Sequence, residues 1–283
     1  MIVNYKIIVD SCGELTYRMK KSGVYETASL SMEVDGDIIV DDENFDQADF
    51  LRRVEASPEC PKSSCPSPER YMELYGGDEE RVYAVTLSSE LSGSYNSAQL
   101  GRKLWMEEYG ESGKKIYVFN SRSASVGETL IGLKIQECEE NGLGFEETVS
   151  TVETYIDEQH TYFVLENLDT LRKNGRLTGI KSFVVSALNI KPVMGSTPEG
   201  TICQLGQARG MKRALAKMAD QIVKEGKTTK DKILAIAHCN CPERAREVER
   251  MLLDKIRVKD SFIVDTAGIS TMYANDGGII VVL

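Results

Sequence analysis

Segments with strand character and segments with helix character alternate through the first half of the chain, and this alternation limits the possible folds most strongly. Strand, crossover helix and strand in succession form a parallel sheet covered by helices, with its functional loops at the carboxyl ends of the strands. Strands are predicted at YKIIVDS, RVYAVTL and KKIYVFNS, and helices at FDQADFLRRVEAS with Asp46 as N-cap, SYNSAQLGRKLWMEEYG, and GETLIGLKIQECEENG, which Gly142 closes.

The second half has a different pattern. The segment LNIKPVMGSTPEGTICQLGQ predicts a hairpin around the loop GSTPEG, and helices then alternate with KILAIAH, SFIVDT and GGIIVVL. Hairpins mixed with helices indicate a mixed or antiparallel sheet. We therefore predict an α/β fold of two domains: residues 1–160 form a mostly parallel βαβ domain, and residues 161–283 form a mixed or antiparallel α+β domain.

Charge and composition exclude several classes of partner. The formal net charge is -10, so neither nucleic acid nor an anionic membrane is expected as a main partner, since both need a basic surface. No apolar run is long enough for a membrane span, and the N-terminus enters a strand at once, unlike a signal peptide. Seven scattered cysteines then indicate reduced thiols and a cytoplasmic protein.

Three chemistries compete for the polar segments. A serine hydrolase could use Ser92 with His238, which ends a predicted strand, but no G-x-S-x-G motif surrounds the serine. The run HCNC at residues 238–241 is at most half of a zinc site, because the other cysteines are isolated. No glycine-rich nucleotide motif occurs, so we expect no nucleotide cofactor. Because the zinc site is incomplete and the serine motif is absent, we also expect no metal and no catalytic residue.

Three loops rich in small hydroxyl residues favour recognition of an anion instead. In LSSELSGSYNS, the residues Ser92, Gly93 and Ser94 lie where a helix begins, and helix N-termini offer free N–H groups to anions. Capping of the helix accounts for any single serine equally well. The second loop, PKSSCPSP, carries Ser63 and Ser64; the third, NSRSASVGE, carries Ser123. Such loops should converge at the strand ends of one domain.

These loops resemble the DegV-type fatty-acid-binding proteins. VDSCGEL is similar to the opening TDS…DL of that family, PKSSCPSP to PKTSQPSP, SSELSGSYNSA to SSGLSGTYQSA, and NSRSASVG to DS+SASMG. In the second half, LRKNGRLTG, LNIKPV and QARGMKRAL resemble LKKGGRI, LNIKPIL and VRTKKKAL. The motifs occur in the same order along the whole chain, which makes the resemblance specific.

The resemblance implies a non-enzymatic carrier that buries a long-chain fatty acid and presents its carboxylate to a separate ATP-dependent fatty acid kinase. Ser92 matches the carboxylate-binding serine of the family, and Ser63 stands where the family usually has threonine. Arg176 and Arg209 match family arginines and are expected to serve partner docking.

One family motif differs in this chain. The last loop reads STMYANDGG instead of GTHTGPG and lacks its histidine, so Tyr273 or Asn275 is expected to supply the missing donor. Ser64 and Ser123 are further candidate head-group contacts. Two alternatives stay open: the hydrolase or acyltransferase that uses Ser92, and a carrier or sensor of another apolar acid without a kinase partner.

Overall fold

Three sheets organise the part of the chain that the computed structural model describes, namely residues 4–110, 113–177, 189–225 and 229–283. The first half comprises β1 (Tyr5–Asp10), α1 (Tyr17–Ser22), β2 (Tyr25–Ala28), β3 (Ser31–Val34), β4 (Asp37–Val40), α2 (Gln47–Ala56), β5 (Lys62–Ser64), α3 (Pro68–Leu74), β6 (Arg81–Thr86), α4 (Ser94–Tyr109), β7 (Lys115–Asn120), α5 (Val126–Glu140) and α6 (Phe145–Asp157).

The second half begins at a strand directly after the predicted boundary near residue 160. Its elements are β8 (Thr161–Val164), α7 (Asp169–Lys173), β9 (Ile190–Ser196), β10 (Ile202–Arg209), α8 (Met211–Glu225), β11 (Ile233–His238), α9 (Pro242–Leu253), β12 (Asp260–Asp265), α10 (Gly268–Ala274) and β13 (Ile279–Val282). Within the described ranges, no helix combines the length and the apolar character needed to cross a membrane.

The predicted parallel sheet is confirmed. Its strand order is β2-β1-β6-β7, and each neighbouring pair is parallel. Ile7 and Val9 of β1 pack against α5 and α6 on one face, while Ile8 packs against α3 and α4 on the other. Both faces are therefore buried, which explains why the middle positions of β1, β6 and β7 are consecutively apolar rather than alternately so.

A small antiparallel sheet of order β4-β3-β5 escaped the sequence analysis. Asp35 and Gly36 form the turn between β3 and β4, and both have positive φ angles, 52° and 87°. An Asp-Gly pair between apolar runs is a strong hairpin signal, because that tight turn needs two left-handed residues. The segment SMEVDGDIIV contains this Asp-Gly pair, so its hairpin could have been predicted from the sequence. This sheet bears on the predicted site because β5 carries Ser63.

The second half forms a mixed sheet of order β10-β9-β8-β13-β11-β12, in which only β11 and β12 run parallel. The predicted hairpin is confirmed as β9 and β10, although Leu188 of its motif lies outside the described residues, as do Thr178 and Gly179 of LRKNGRLTG.

Helix α5 connects the two halves. Its Ile131 and Ile135 pack on the parallel sheet, and its Val126 and Leu130 pack on the mixed sheet. A helix between two sheets is buried on most of its circumference, which agrees with the seven consecutive buried residues, 126–132, that begin it. The parallel sheet and the small sheet take their strands from residues before 121, and the mixed sheet from residues after 160. The division into two domains stays a prediction.

Candidate functional site

A cavity lies where the loops after β6 and β7 meet the mixed sheet and α10. The space between its protein atoms is ≈ 850 Å³, a volume that includes the opening to solvent. Most of its wall is apolar, and the wall is built from both halves of the chain. The apolar residues are Cys12, Leu30, Leu87, Leu91, Ala124, Phe163, Leu165, Leu171, Ile202, Ile269, Ala274 and Ile280.

Hydroxyl and guanidinium groups also line the cavity, and we call one group of them, Ser63, Ser92, Arg176 and Tyr273, the donor corner. The Oγ of Ser63 lies 2.9 Å from the Tyr273 hydroxyl oxygen. The Arg176 guanidinium lies over the Tyr273 ring, 5.7 Å from its centroid. Arg176 Nε donates to the Leu91 carbonyl at 3.1 Å, and Nη1 donates to that of Asn174 at 2.6 Å. The arginine therefore links the second half to the loop after β6.

The donor corner has more hydrogen-bond donors than acceptors. Ser92 Oγ accepts from the Ser94 backbone N–H at 3.1 Å, and its own hydrogen has no acceptor among the described residues. Arg176 Nη2 likewise has none there. The Ser63 and Tyr273 hydroxyls share one hydrogen bond, which leaves one of their two hydrogens free. Arg176 has no carboxylate partner among the described residues, whereas Arg122, the other arginine of the lining, pairs with Asp157 at 2.6 Å; no carboxylate is among the described lining residues. Free donors and a cationic charge without a carboxylate are chemically suited to an acceptor with negative charge.

Tyr273 enters this arrangement as a neutral donor. Burial raises the pKa of its hydroxyl above the ordinary value of 10.0, whereas the Ser63 hydrogen bond and the Arg176 charge act to lower it. The burial effect is the largest, so the hydroxyl keeps its hydrogen at neutral pH. Tyrosine is a hydrogen-bond donor of the kind that the missing loop histidine would have supplied.

Not all predicted contacts reach the cavity. Ser94 is fully buried, and its hydroxyl bonds Asp10 and Tyr71 instead of facing the cavity, because the first turn of α4 points it into the core. Ser64 is exposed on β5, on the opposite side of the strand from Ser63. Ser123 does line the cavity, but its hydroxyl already bonds Thr161 Oγ1 at 2.6 Å.

The remaining predictions divide in the same way. Asn275 is not among the residues that line the cavity, and its amide donates to the Tyr273 carbonyl at 3.1 Å. Gly93 is the N-cap of α4, where an added Cβ would lie 3.1 Å from Cys65 Sγ, so glycine permits a tight approach there. Arg176, expected at a docking surface, forms part of the cavity wall. Arg209 is exposed at the end of β10.

Neither histidine of the chain lines the cavity. His238 ends β11 as predicted, but its Nδ1 lies 3.2 Å from Asp265 Oδ1, and burial lowers its pKa below 6.5. His160 precedes β8 and lines a separate cleft. Ser92 therefore has no imidazole beside it. Across the described ranges, no group of three or more His, Cys, Asp or Glu side chains is arranged to hold a metal.

Buried carboxyl groups behind the cavity are the features that sequence analysis missed. Asp41 accepts from Gly268 and Ile269 N–H groups at 2.7 and 2.9 Å and thereby holds the start of α10, the helix of Tyr273. Glu14 accepts from the Ser125 hydroxyl at 2.8 Å. Burial raises the pKa of Asp41 to about 6 and that of Glu14 to about 7.

Comparison with known proteins places these features in a family. The family model described as "Uncharacterised protein, DegV family" matches residues 4–282. A DegV domain-containing protein of Streptococcus pneumoniae is 31% identical over 282 residues, covering 98% of each chain.

Two solved structures share the fold along the whole chain. A DegV family protein from Ruminococcus gnavus, solved with vaccenic acid, is 64% identical with a TM-score of 0.97, covering 99% of this chain and 100% of that one. The Streptococcus pneumoniae Fatty Acid Kinase (Fak) B3 protein, loaded with linoleic acid, is 31% identical with a TM-score of 0.89, covering 99% of this chain and 98% of that one.

Proposed function

The chain belongs to the DegV family, and we propose that it binds a long-chain fatty acid and presents the carboxylate to a separate ATP-dependent fatty acid kinase. The observation that carries this proposal is the donor corner: unpaired donors beside a mainly apolar cavity wall, with no carboxylate among the described lining residues. The two similar structures that hold vaccenic and linoleic acid support the ligand class.

The apolar wall and the donor corner of the cavity contribute to binding in different ways. Each buried methylene contributes about 0.8 kcal/mol, so a sixteen-carbon chain contributes about 10 kcal/mol before the costs of association. This apolar term has no direction. Hydrogen bonds to a charged group contribute about 1.5–3 kcal/mol each, and the donor corner brings several unpaired donors together. The corner therefore determines which end of the ligand faces the opening.

We assign roles in the donor corner from its unpaired hydrogens. The Ser92 hydroxyl donates to one carboxylate oxygen, and the Ser63–Tyr273 pair donates its spare hydrogen. Arg176 supplies charge through Nη2, and Ser123 adds a polar contact in the wall. Gly93, predicted as a carboxylate contact, is not among the lining residues and instead permits close packing against Cys65. In this assignment Arg176 serves the ligand, and the exposed Arg209 remains the candidate for docking the kinase.

The protein acts as a carrier rather than an enzyme in this proposal. A carboxylate oxygen of the bound acid attacks the γ-phosphorus of ATP and ADP leaves, a step that the partner catalyses. A hydrolase would need a base for Ser92, and neither histidine lines the cavity. We further propose that residues 1–160 and 161–283 act as two domains around the ligand. Seven free thiols support a cytoplasmic location.

Binding is tested with delipidated protein and two ligands of equal length, a fatty acid and the corresponding fatty alcohol. Ser92→Ala should weaken binding of the acid by about 10- to 150-fold, the loss of one charge-assisted hydrogen bond, and should change alcohol binding far less. Ser64→Ala removes a neighbouring exposed hydroxyl and is the matched control. Equal affinities of wild type and Ser92→Ala for the acid would refute the head-group assignment.

Presentation to a kinase is tested separately with a purified fatty acid kinase and ATP. Acyl phosphate should form only when this protein, loaded with fatty acid, is added. Arg209→Ala should reduce the rate while leaving fatty acid affinity unchanged. Tight binding of the acid without any acyl phosphate would favour the alternative of a carrier or sensor that has no kinase partner.

A further inference from the structure

The loop that carries Ser92 is tied at both ends to a single oxygen atom. Asp10 lies at the carboxyl end of β1 and is fully buried. Its Oδ2 accepts from the Leu87 N–H at 2.9 Å, where the loop leaves β6, and from the Ser94 hydroxyl at 2.6 Å, where α4 begins. Its Oδ1 accepts from the Cys12 N–H at 3.1 Å. One carboxylate therefore determines the distance that the loop between Leu87 and Ser94 must span.

A second contact extends this link from Ser94 to Ser92. The Ser94 backbone N–H donates to Ser92 Oγ at 3.1 Å, so a lone pair of that oxygen points towards the start of α4. The Ser92 hydroxyl hydrogen must then point in another direction. Because Ser92 lines the cavity, the orientation that remains is one in which the hydroxyl can donate to a ligand. Displacement of Ser94 would release this constraint.

The donor and the acceptor can be assigned in each hydrogen bond that joins Tyr71, Ser94 and Asp10. Ser94 has a single hydroxyl hydrogen, and an acceptor-only carboxylate 2.6 Å away takes it. The Tyr71 hydroxyl, 2.7 Å from Ser94 Oγ, must therefore donate to Ser94. Tyr71, Ser94 and Asp10 are all fully buried, so no water competes for these bonds. An amide in place of the carboxylate would direct an NH₂ group at one of the present donors.

We propose that Asp10 and Ser94 are positioning residues for Ser92: they hold the loop so that the Ser92 hydroxyl hydrogen faces the carboxylate of the ligand. This inference rests on the proposed function. It also gives a role to Ser94, whose hydroxyl does not face the cavity. Asp10 and Ser94 act through Ser92 and make no contact with the ligand themselves.

The experiment compares Ser94→Ala, Ser92→Ala and the double variant, each against a fatty acid and the fatty alcohol of equal length. Ser94→Ala should weaken acid binding by about tenfold, a part of the Ser92→Ala loss, and leave alcohol binding within about twofold. In the Ser92→Ala background, Ser94→Ala should cause no further loss, because the residue that it positions is already gone. Additive losses would overturn the proposal, as would equal losses for acid and alcohol.

Two further variants keep the test decisive. Tyr83→Phe removes a buried hydroxyl that bonds the buried Glu139 carboxylate from the same strand β6, away from the loop. It should lower stability without changing the ratio of acid to alcohol affinity. If Ser94→Ala does not fold, Tyr71→Phe/Ser94→Ala leaves no orphaned hydroxyl and replaces it in the cycle.

The same measurements separate the two proposals. If Ser92→Ala weakens acid binding but the Ser94 variants do not, only the positioning inference fails. If Ser92→Ala itself has no effect, the head-group assignment of the proposed function fails.

Discussion

Glu14 should make the protein less stable as the pH rises, and replacing it with glutamine should remove this effect. Burial raises the pKa of its carboxyl from an ordinary 4.5 to about 7 in the folded protein. The folded state therefore holds this proton more tightly than the unfolded state does. Stability is highest while both states are protonated, below pH 4.5, and falls as the pH rises towards 7.

The size of the effect follows from the displacement of the pKa. One pH unit corresponds to about 1.36 kcal/mol, so a rise from 4.5 to about 7 costs about 3 kcal/mol of unfolding free energy above pH 7. In Glu14→Gln this cost is absent. The hydrogen bond from Ser125 changes in the variant too, but that change is independent of pH and shifts the whole curve equally.

The assay is urea unfolding of delipidated wild type and Glu14→Gln at several values between pH 4.5 and pH 8. The variant should gain about 3 kcal/mol relative to wild type across this range. Glu55→Gln, on the exposed side of α2, is the matched control: it makes the same substitution but leaves Glu14 in place, so the pH dependence of wild type should persist. A constant difference between wild type and Glu14→Gln at every pH would refute the reasoning.

Three further predictions concern the site. Ser63→Ala and Tyr273→Phe should lose fatty acid affinity non-additively, with a coupling of about 1 kcal/mol in a double-mutant cycle, since the two hydroxyls share one hydrogen bond. Gly268→Ala should lower the melting temperature, because its Cβ would lie 2.7 Å from the Asp41 carboxyl carbon and crowd Met32, at a cost of about 1–3 kcal/mol. Saturating fatty acid at about 100 times its dissociation constant should add about 2.7 kcal/mol to unfolding and raise the melting temperature by about 5 °C.

Local sequence predicted the framework of this fold well. Asp46 caps α2 through a hydrogen bond to the Asp49 N–H at 2.9 Å, as its position before the helix indicated. Gly142 follows α5 with a φ of 76°, the left-handed conformation expected after a helix. These features depend on residues three or four apart, so their causes are visible in the sequence. The sequence analysis did not predict α6, although Phe145, Val149, Val152 and Ile156 recur at helical spacing.

The orientation of the hydroxyl groups could not be predicted in the same way. Ser92 and Ser94 are two residues apart at the start of one helix, and either could face a ligand from its local context. What distinguishes them is Asp10, 84 positions from Ser94, whose carboxylate takes the Ser94 hydrogen. Tyr273 and Asn275 pose the same problem, since Ser63 is 210 positions from Tyr273. Apolar lining residues are likewise indistinguishable from core until the cavity is seen.

The donor corner requires both halves of the chain, and α5 explains why they stay together. Ser63 and Ser92 come from the first half, whereas Arg176 and Tyr273 come from the second. Separating the halves would expose the α5 side chains that pack on one of the two sheets, at about 1.5–3 kcal/mol for each large apolar residue such as Leu130. Separation would also break the hydrogen bond from Arg176 Nε to the Leu91 carbonyl, in the loop after β6. Ligand exchange is therefore expected to proceed through the mouth of the cavity, with the two halves packed throughout.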